Sequence, residues 1–385
     1  MKDRSNSIGN KMIMIPDSFK GTMSSKEVGQ IMKEEARKLW PDGEIISVQV
    51  ADGGEGSVDA FLSALDGERV YETVSGPYGE KVQACYAIVG KTAIIEMASV
   101  AGLPLVGKRL SAGQTTTYGV GELIRKALDR KVEKIILALG GSATNDGGTG
   151  MASALGVRFY NQKKEQFVPV GDTLSQISKI DIEEVDSRLK GVQVVAMCDI
   201  QNTLCGELGA AKVFAPQKGA TEEQVIRLDE GLHHFSDQVK RWLHKEILSL
   251  KGGAAAGGMG AGAVAFLDAQ LQSGIDVVLD TIGFDELLNG CKLVITGEGK
   301  IDEQSINGKV ISGVARRASK KQVPVLVVAG AVDDDAEKAY EIGVTAIFSI
   351  TQKPMSFEEI CKTTTSDLRR TMRSVFRFAK AFERR

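Results

Sequence analysis

Four times in this chain a short apolar run breaks into a loop crowded with glycine and carrying charged residues. Met12-Ile13-Met14-Ile15 ends in Pro16-Asp17-Ser18-Phe19-Lys20-Gly21, and Ile45 to Val50 leads to Asp52-Gly53-Gly54-Glu55-Gly56. Lys134 to Leu139 runs into Gly140-Gly141-Ser142-Ala143-Thr144-Asn145-Asp146-Gly147-Gly148. Leu293-Val294-Ile295 is followed by Gly297-Glu298-Gly299-Lys300-Ile301-Asp302. A short apolar run without alternation suits a parallel strand buried on both faces. Open α/β sheets bind ligands at the carboxyl ends of such strands. The recurrence therefore restricts the chain to an α/β architecture with ligand-facing loops.

The intervening segments read as helices. Ser24 stands three residues before Glu27, a capping box, and Val28, Ile31, Met32 and Leu39 share a helical face. A second helix is expected with Ser57 as N-cap, Val58, Phe61, Leu62 and Leu65 on its inner face and Gly67 beyond its end. From Val70 to Met97, alternation around Gly76-Pro77-Tyr78-Gly79 and Gly90 predicts an antiparallel meander. Parallel units resume with a helix over 118–130. The last third alternates again, with strands at 293–295, 325–329 and 346–348. Leu368, Met372, Val375, Phe376 and Phe382 have the spacing of a terminal helix that docks by one face.

At 385 residues the chain exceeds the usual span of one core. Neither end holds enough strands for a stable sheet alone. The expected fold is thus α/β with two domains: a discontinuous, doubly wound, Rossmann-like parallel sheet from 1–70 and 285–385, and an inserted mixed α/β domain at 71–284. The active site is expected in the cleft between them.

Several function classes are poorly supported. His233, His234 and His244 lie together, far in sequence from every glycine-rich loop, which argues against a Ser-His-Asp hydrolase or a histidine-bound metal. No G-x-G-x-x-G follows a strand. Gly102-Leu-Pro-Leu-Val-Gly107-Lys108-Arg109 ends in Arg where a P-loop needs Ser or Thr. Five cysteines without a C-x-x-C pair fit free thiols in a reducing compartment. A net charge of −2, a polar start and the lack of a long apolar run point to a cytoplasmic protein without nucleic-acid or membrane partners, either monomer or homodimer.

The loops suit phosphoryl transfer. The chain's 43 glycines let backbone N–H groups close on phosphate oxygens, and a following helix N-terminus adds positive potential. Lysines neutralise charge on the moving group, and carboxylates hold Mg²⁺ or take the proton of an attacking alcohol. On this chemistry Asp17, Lys20, Asp52 and Glu55 are assigned to the acceptor side and catalysis, with Asp52 as base. Gly140, Gly141, Ser142, Thr144, Asn145, Gly147, Gly148, Lys218, Gly297 and Lys300 are assigned to the nucleotide. Asp146, Asp199, Glu298 and Asp302 are the candidate metal ligands. The glycine-alanine stretch 252–262 reads either as a close-packed helix start or as a second cradle.

The stretches Pro16 to Lys20, Val50 to Gly56, Ile95 to Ala98, Thr117 to Ile124 and Gly140 to Gly148 resemble the bacterial glycerate kinase family of the first type. So do Cys198-Asp199, Pro216 to Ala220 and Thr296 to Gln304, and the match covers nearly the whole chain. The resemblance implies a kinase that uses ATP and Mg²⁺ on D-glycerate and yields 2-phosphoglycerate. The chain departs from that family in two places. Thr203 follows Asn202 where proline is usual, and Gly252-Gly253 replaces Pro-Gly. Another small hydroxy acid such as tartronate, or transfer to the C3 hydroxyl, stays open. A non-catalytic sugar-acid sensor is the rival of another class, disfavoured by the retained carboxylates and the lack of a DNA-binding module.

Overall fold

The computed structural model describes residues 10–50, 56–306 and 308–383. Its strands are β1 (Lys11–Met14), β2 (Glu44–Ser47), β3 (Glu68–Ser75), β4 (Lys81–Val89), β5 (Thr92–Glu96), β6 (Lys134–Ala138) and β7 (Arg158–Tyr160). They continue as β8 (Gln166–Phe167), β9 (Lys179–Asp181), β10 (Gln193–Met197), β11 (Gln270–Gln272), β12 (Leu293–Ile301), β13 (Val325–Val332) and β14 (Ala346–Ser349). The chain divides into two compact units, Met1–Asp52 with Ile275–Arg385, and Gly53–Gly274.

The first unit is a five-stranded, all-parallel sheet in the order β14-β13-β12-β1-β2. Apolar residues of one strand alternate between its faces. Met12, Met14, Ile295 and Val328 pack under the helices Ser25–Arg37 and Phe357–Phe382. Val327, Ala329 and Ile301 pack under Val310–Lys320 on the opposite face. The sheet is therefore doubly wound, as its continuous apolar strands predict.

Local signals hold in detail. Ser24 and Glu27 form the reciprocal capping box, with the Ser24 N–H donating to Glu27 at 2.8 Å. In the terminal helix Leu368, Met372, Val375 and Phe376 are buried, and Phe376 meets Trp40 edge-on at 5.8 Å. Phe382 differs from expectation: it is exposed, and its ring rests on Phe378 instead. Beneath this helix Glu35 is buried among Lys38, Arg369 and Arg373. Their hydrogen bonds and charges outweigh burial and hold its carboxyl below the usual range.

The 297–302 segment also departs from expectation. It is not a strand-end loop, because β12 runs on to Ile301 and stays paired with β13 to Val332. Its glycines serve close approach rather than turning. A Cβ on Gly297 would lie 2.1 Å from the Val328 carbonyl, and one on Gly299 would lie 3.2 Å from the Lys20 backbone nitrogen.

The second unit holds a mixed sheet, β11-β10-β6-β5-β4-β3. The β3–β4–β5 meander is antiparallel, as read from the alternation, and β5, β6, β10 and β11 are mutually parallel. A small sheet, β8-β7-β9, lies in the same unit. Residues 56–70, read from the sequence with the first unit, fold with the second. The N-cap of the helix Ser57–Ala64 is Gly56, at φ +90°, and Ser57 is its first helical residue.

Candidate active site

In the first unit the chemistry gathers where the strand order reverses, between β1 and β12. Both strands present their carboxyl ends there, and such a switch point opens a crevice in α/β sheets. The Asp17 N–H donates to the Gly297 carbonyl at 2.7 Å, which seats the loop after β1 beside Glu298. Asp17 is largely buried, and its carboxylate accepts from the Ser18 N–H at 2.6 Å.

Glu298 is buried, and its Oε1 has no partner. Burial pushes its carboxyl up to about 7, and the negative charges of Asp17 and Asp302 add to that push. Lys300 lies two residues further along β12, exposed and paired with Asp333 at 2.7 Å. Asp302 accepts from the N–H and hydroxyl of Ser305 at 3.2 Å. Lys20 and Lys300 both line a cavity of about 600 Å³ at this end of the sheet.

Among the described residues no three acidic, histidine or cysteine side chains form a ready metal cage. Mg²⁺ seldom needs one, since it is commonly held by one or two carboxylates together with substrate phosphates and water. A buried carboxylate with an orphaned oxygen, flanked by a second carboxylate, fits that demand. Asp52 and Glu55 lie outside the described residues.

In the second unit the loop after β6 is folded inward. Residues 142–150 are all buried. Asp146 organises them: its carboxylate accepts from the N–H and hydroxyl of Thr117, both at 2.8 Å, and from the N–H of Gly148 at 3.1 Å and Gly150 at 3.3 Å. Burial raises this carboxyl above the usual range against the pull of those donors. With its oxygens so occupied, Asp146 is placed to hold the loop in shape rather than to reach an ion.

Lys218 is equally buried and donates to Ser142 Oγ at 2.8 Å and to the Thr144 carbonyl at 2.7 Å. Burial pulls its ammonium down to about 7, opposed by the charge of Asp146. Beside it, both polar side-chain atoms of Asn145 and the Thr144 hydroxyl are buried without partners. Groups of that kind mark a place where a polar ligand or water completes the bonding.

The glycine-alanine stretch proves to be packing for this loop. Gly147 donates to the Gly257 carbonyl at 3.0 Å, and a Cβ on Gly257 would lie 1.9 Å from the Thr144 carbonyl. Gly252 has φ +81°, a conformation closed to proline, which gives the departure at that position a backbone reason. Its N–H donates to the Asn202 carbonyl, tying the two departing segments together. Gly140 and Gly141 open the loop, with Gly141 at φ +77°. Asp199 follows β10 and accepts from the Gly274 N–H at 2.8 Å.

Sequence reasoning gave no role to Glu96. It ends β5, inside the apolar run Ile94-Ile95-Glu96-Met97, and its carboxylate accepts from the Val58 N–H at the start of the helix Ser57–Ala64. Gly56 offers no side-chain cap, so Glu96 supplies the missing acceptor directly after the 51–55 segment. A lone carboxylate at the carboxyl end of a buried parallel strand was the available signal. The histidines sit apart, on the helix Glu222–Leu243 and at its C-cap.

A doubly wound parallel sheet with two largely buried carboxylates at its switch point, and a second unit with a buried lysine and a glycine-rich loop, make up an architecture of the kind α/β enzymes use. The chain belongs to the glycerate kinase family, whose sequence pattern matches residues 12–380. It is 42% identical over 368 residues to glycerate 2-kinase of Escherichia coli K12, covering 95% of this chain and 97% of that one. It is 44% identical to the glycerate kinase of Bacillus cereus, with the same coverage. A crystal structure from Salmonella typhimurium LT2, provisionally assigned as glycerate kinase 2, superposes with a TM-score of 0.87 at 41% identity, covering 97% of this chain and 99% of that one. The chain is thus a kinase. No helix among the described residues is long and apolar enough to cross a membrane.

Proposed function

We propose that this kinase transfers the γ-phosphoryl group of ATP to the C2 hydroxyl of D-glycerate, giving 2-phosphoglycerate and ADP, with Mg²⁺ as cofactor. The observation that carries the reading is the Asp17–Glu298 pair, two largely buried carboxylates at the switch point, one with an oxygen left unpartnered. Family membership and the names of the relatives support glycerate as acceptor.

In this reading Asp52 takes the proton of the attacking hydroxyl as the new O–P bond forms and the bond to the bridging oxygen of ADP breaks. Glu55 orients the acid. Lys20 and Lys300 offset charge on the phosphoryl oxygens. Glu298 and Asp17 would hold Mg²⁺, which would neutralise phosphate charge, with Asp302 orienting polar groups near them, and Asp199, in the second unit, orients the backbone at Gly274. The loop from Gly140 to Gly148, stiffened by Asp146, presents Thr144 and Asn145 with Lys218 to anionic oxygens.

A Mg²⁺ titration of ADP release tests the assignment. Glu298→Gln should raise the Mg²⁺ needed for half-maximal rate by at least about tenfold, as expected when a cation loses a charged ligand. An unchanged Mg²⁺ requirement would remove Glu298 from the metal site. A panel of D-glycerate, L-glycerate and tartronate should show the first as the preferred acceptor.

A further inference from the structure

The cavity of about 600 Å³ in the first unit is too large and too apolar for a three-carbon acid. Its lining includes Phe19, Ile350, Phe357 and Ile360, and glycerate has little apolar surface to set against them. Its floor is partly bare backbone. Gly299 and Gly330 face each other across β12 and β13 so closely that a Cβ on Gly330 would lie 2.4 Å from the Gly299 carbonyl. A side chain at Gly330 would collide with the neighbouring strand.

The two rings differ in a useful way. Phe19 is 2% exposed and fixed, whereas Phe357 is 64% exposed at the start of the terminal helix. Phe357 is poised over the loop after β1, its ring 3.2 Å from the point a Cβ on Gly21 would take. Exposed aromatic rings beside apolar walls are surfaces on which flat heterocycles stack. Lys20, Lys300 and Lys353 supply positive charge in the same cavity. Backbone and hydroxyl groups of the turn after β14 lie there too, with the Thr351 hydroxyl on the Gly330 carbonyl at 2.6 Å.

We propose that this cavity seats the base and ribose of a purine nucleotide, between Phe357 and the Ile350–Ile360 wall, with the phosphates led along Lys353, Lys20 and Lys300 toward the β1–β12 switch point. This rests on the reading of the chain as an ATP-dependent kinase, and it assigns the base a site that the glycine loops do not provide. An apolar slot accepts the base, lysines accept the phosphates, and the carboxyl ends of β12, β13 and β14 bring both to one rim.

Titration calorimetry of the full chain with ADP, in the absence of any acid, tests the proposal through Phe357→Ala and Ile360→Trp. Removing the stacking ring should weaken ADP binding about tenfold, and filling the slot should weaken it further. The Michaelis constant for ATP should rise in step while that for glycerate does not. Should Ile360→Trp fail to fold, Phe357→Ala, altered at an exposed ring, carries the test alone. Weakened ADP binding in a chain that phosphorylates no glycerate would support the cavity and defeat the substrate reading. Glycerate turnover with ADP binding unaltered by Phe357→Ala would overturn the cavity and leave the reaction standing. Failure of the unaltered chain to bind ADP would likewise overturn it.

Discussion

Lys218 is the residue whose environment makes the most definite demand on solution behaviour. Its ammonium sits at about 7 in the fold against 10.5 in an open chain. Between those values the unfolded chain binds a proton that the folded chain does not, so raising the pH across that window stabilises the fold. Denaturant unfolding at pH 7.5 and 9.5 should show a gain of roughly 1 kcal/mol per pH unit from this group. Lys218→Met should remove that part of the slope, and equal slopes in the two proteins would contradict the assignment. Asp52 makes a kinetic demand instead. Asp52→Asn should lower turnover by about 10²- to 10⁴-fold, the usual contribution of a general base. Residue identity was legible at the strand ends, where acidic and basic groups interrupt apolar runs. Direction was not: Asp146 points inward because Thr117, Gly148 and Gly150, one of them distant in sequence, converge on it.

At the scale of elements, glycine was the hardest residue to read. In the sequence a glycine cluster signals a turn, yet Gly297 and Gly299 lie inside β12, because the neighbouring strand and the loop after β1 leave no space for a Cβ. The pattern of small residues at 252–262 has the same cause. Gly257 has φ +67° and lies against the 140–148 loop. Gly257→Ala should therefore cost at least about 2 kcal/mol of stability through strain and overpacking. Activity should fall with it, since the same contact holds Thr144 and Asn145. A thermal-melting comparison checks this, with an unchanged midpoint as the contrary result. Capping and periodicity were legible because they are local: the Ser24–Glu27 box and the buried face of the terminal helix need only their own sequence. Phe382 escaped that logic because burial depends on what lies opposite, and its ring meets Phe378 of the same helix.

For the whole molecule, the discontinuous parallel sheet was legible from counting strands, since neither end of the chain could close a sheet alone. The sheet order that brings β1 beside β12 joins Asp17 to Gly297 and Glu298 across the sequence, and pairing of that range leaves no local signature. We propose that this architecture serves phosphoryl transfer to the C2 hydroxyl of D-glycerate. Proton-coupled phosphorus NMR of the product made from ATP, Mg²⁺ and D-glycerate tests it most directly. A phosphate on C2 couples to a single methine proton and gives a doublet, which is the predicted result. A triplet, from the methylene protons of a C3 ester, or the absence of any glycerate-dependent monoester, would contradict it.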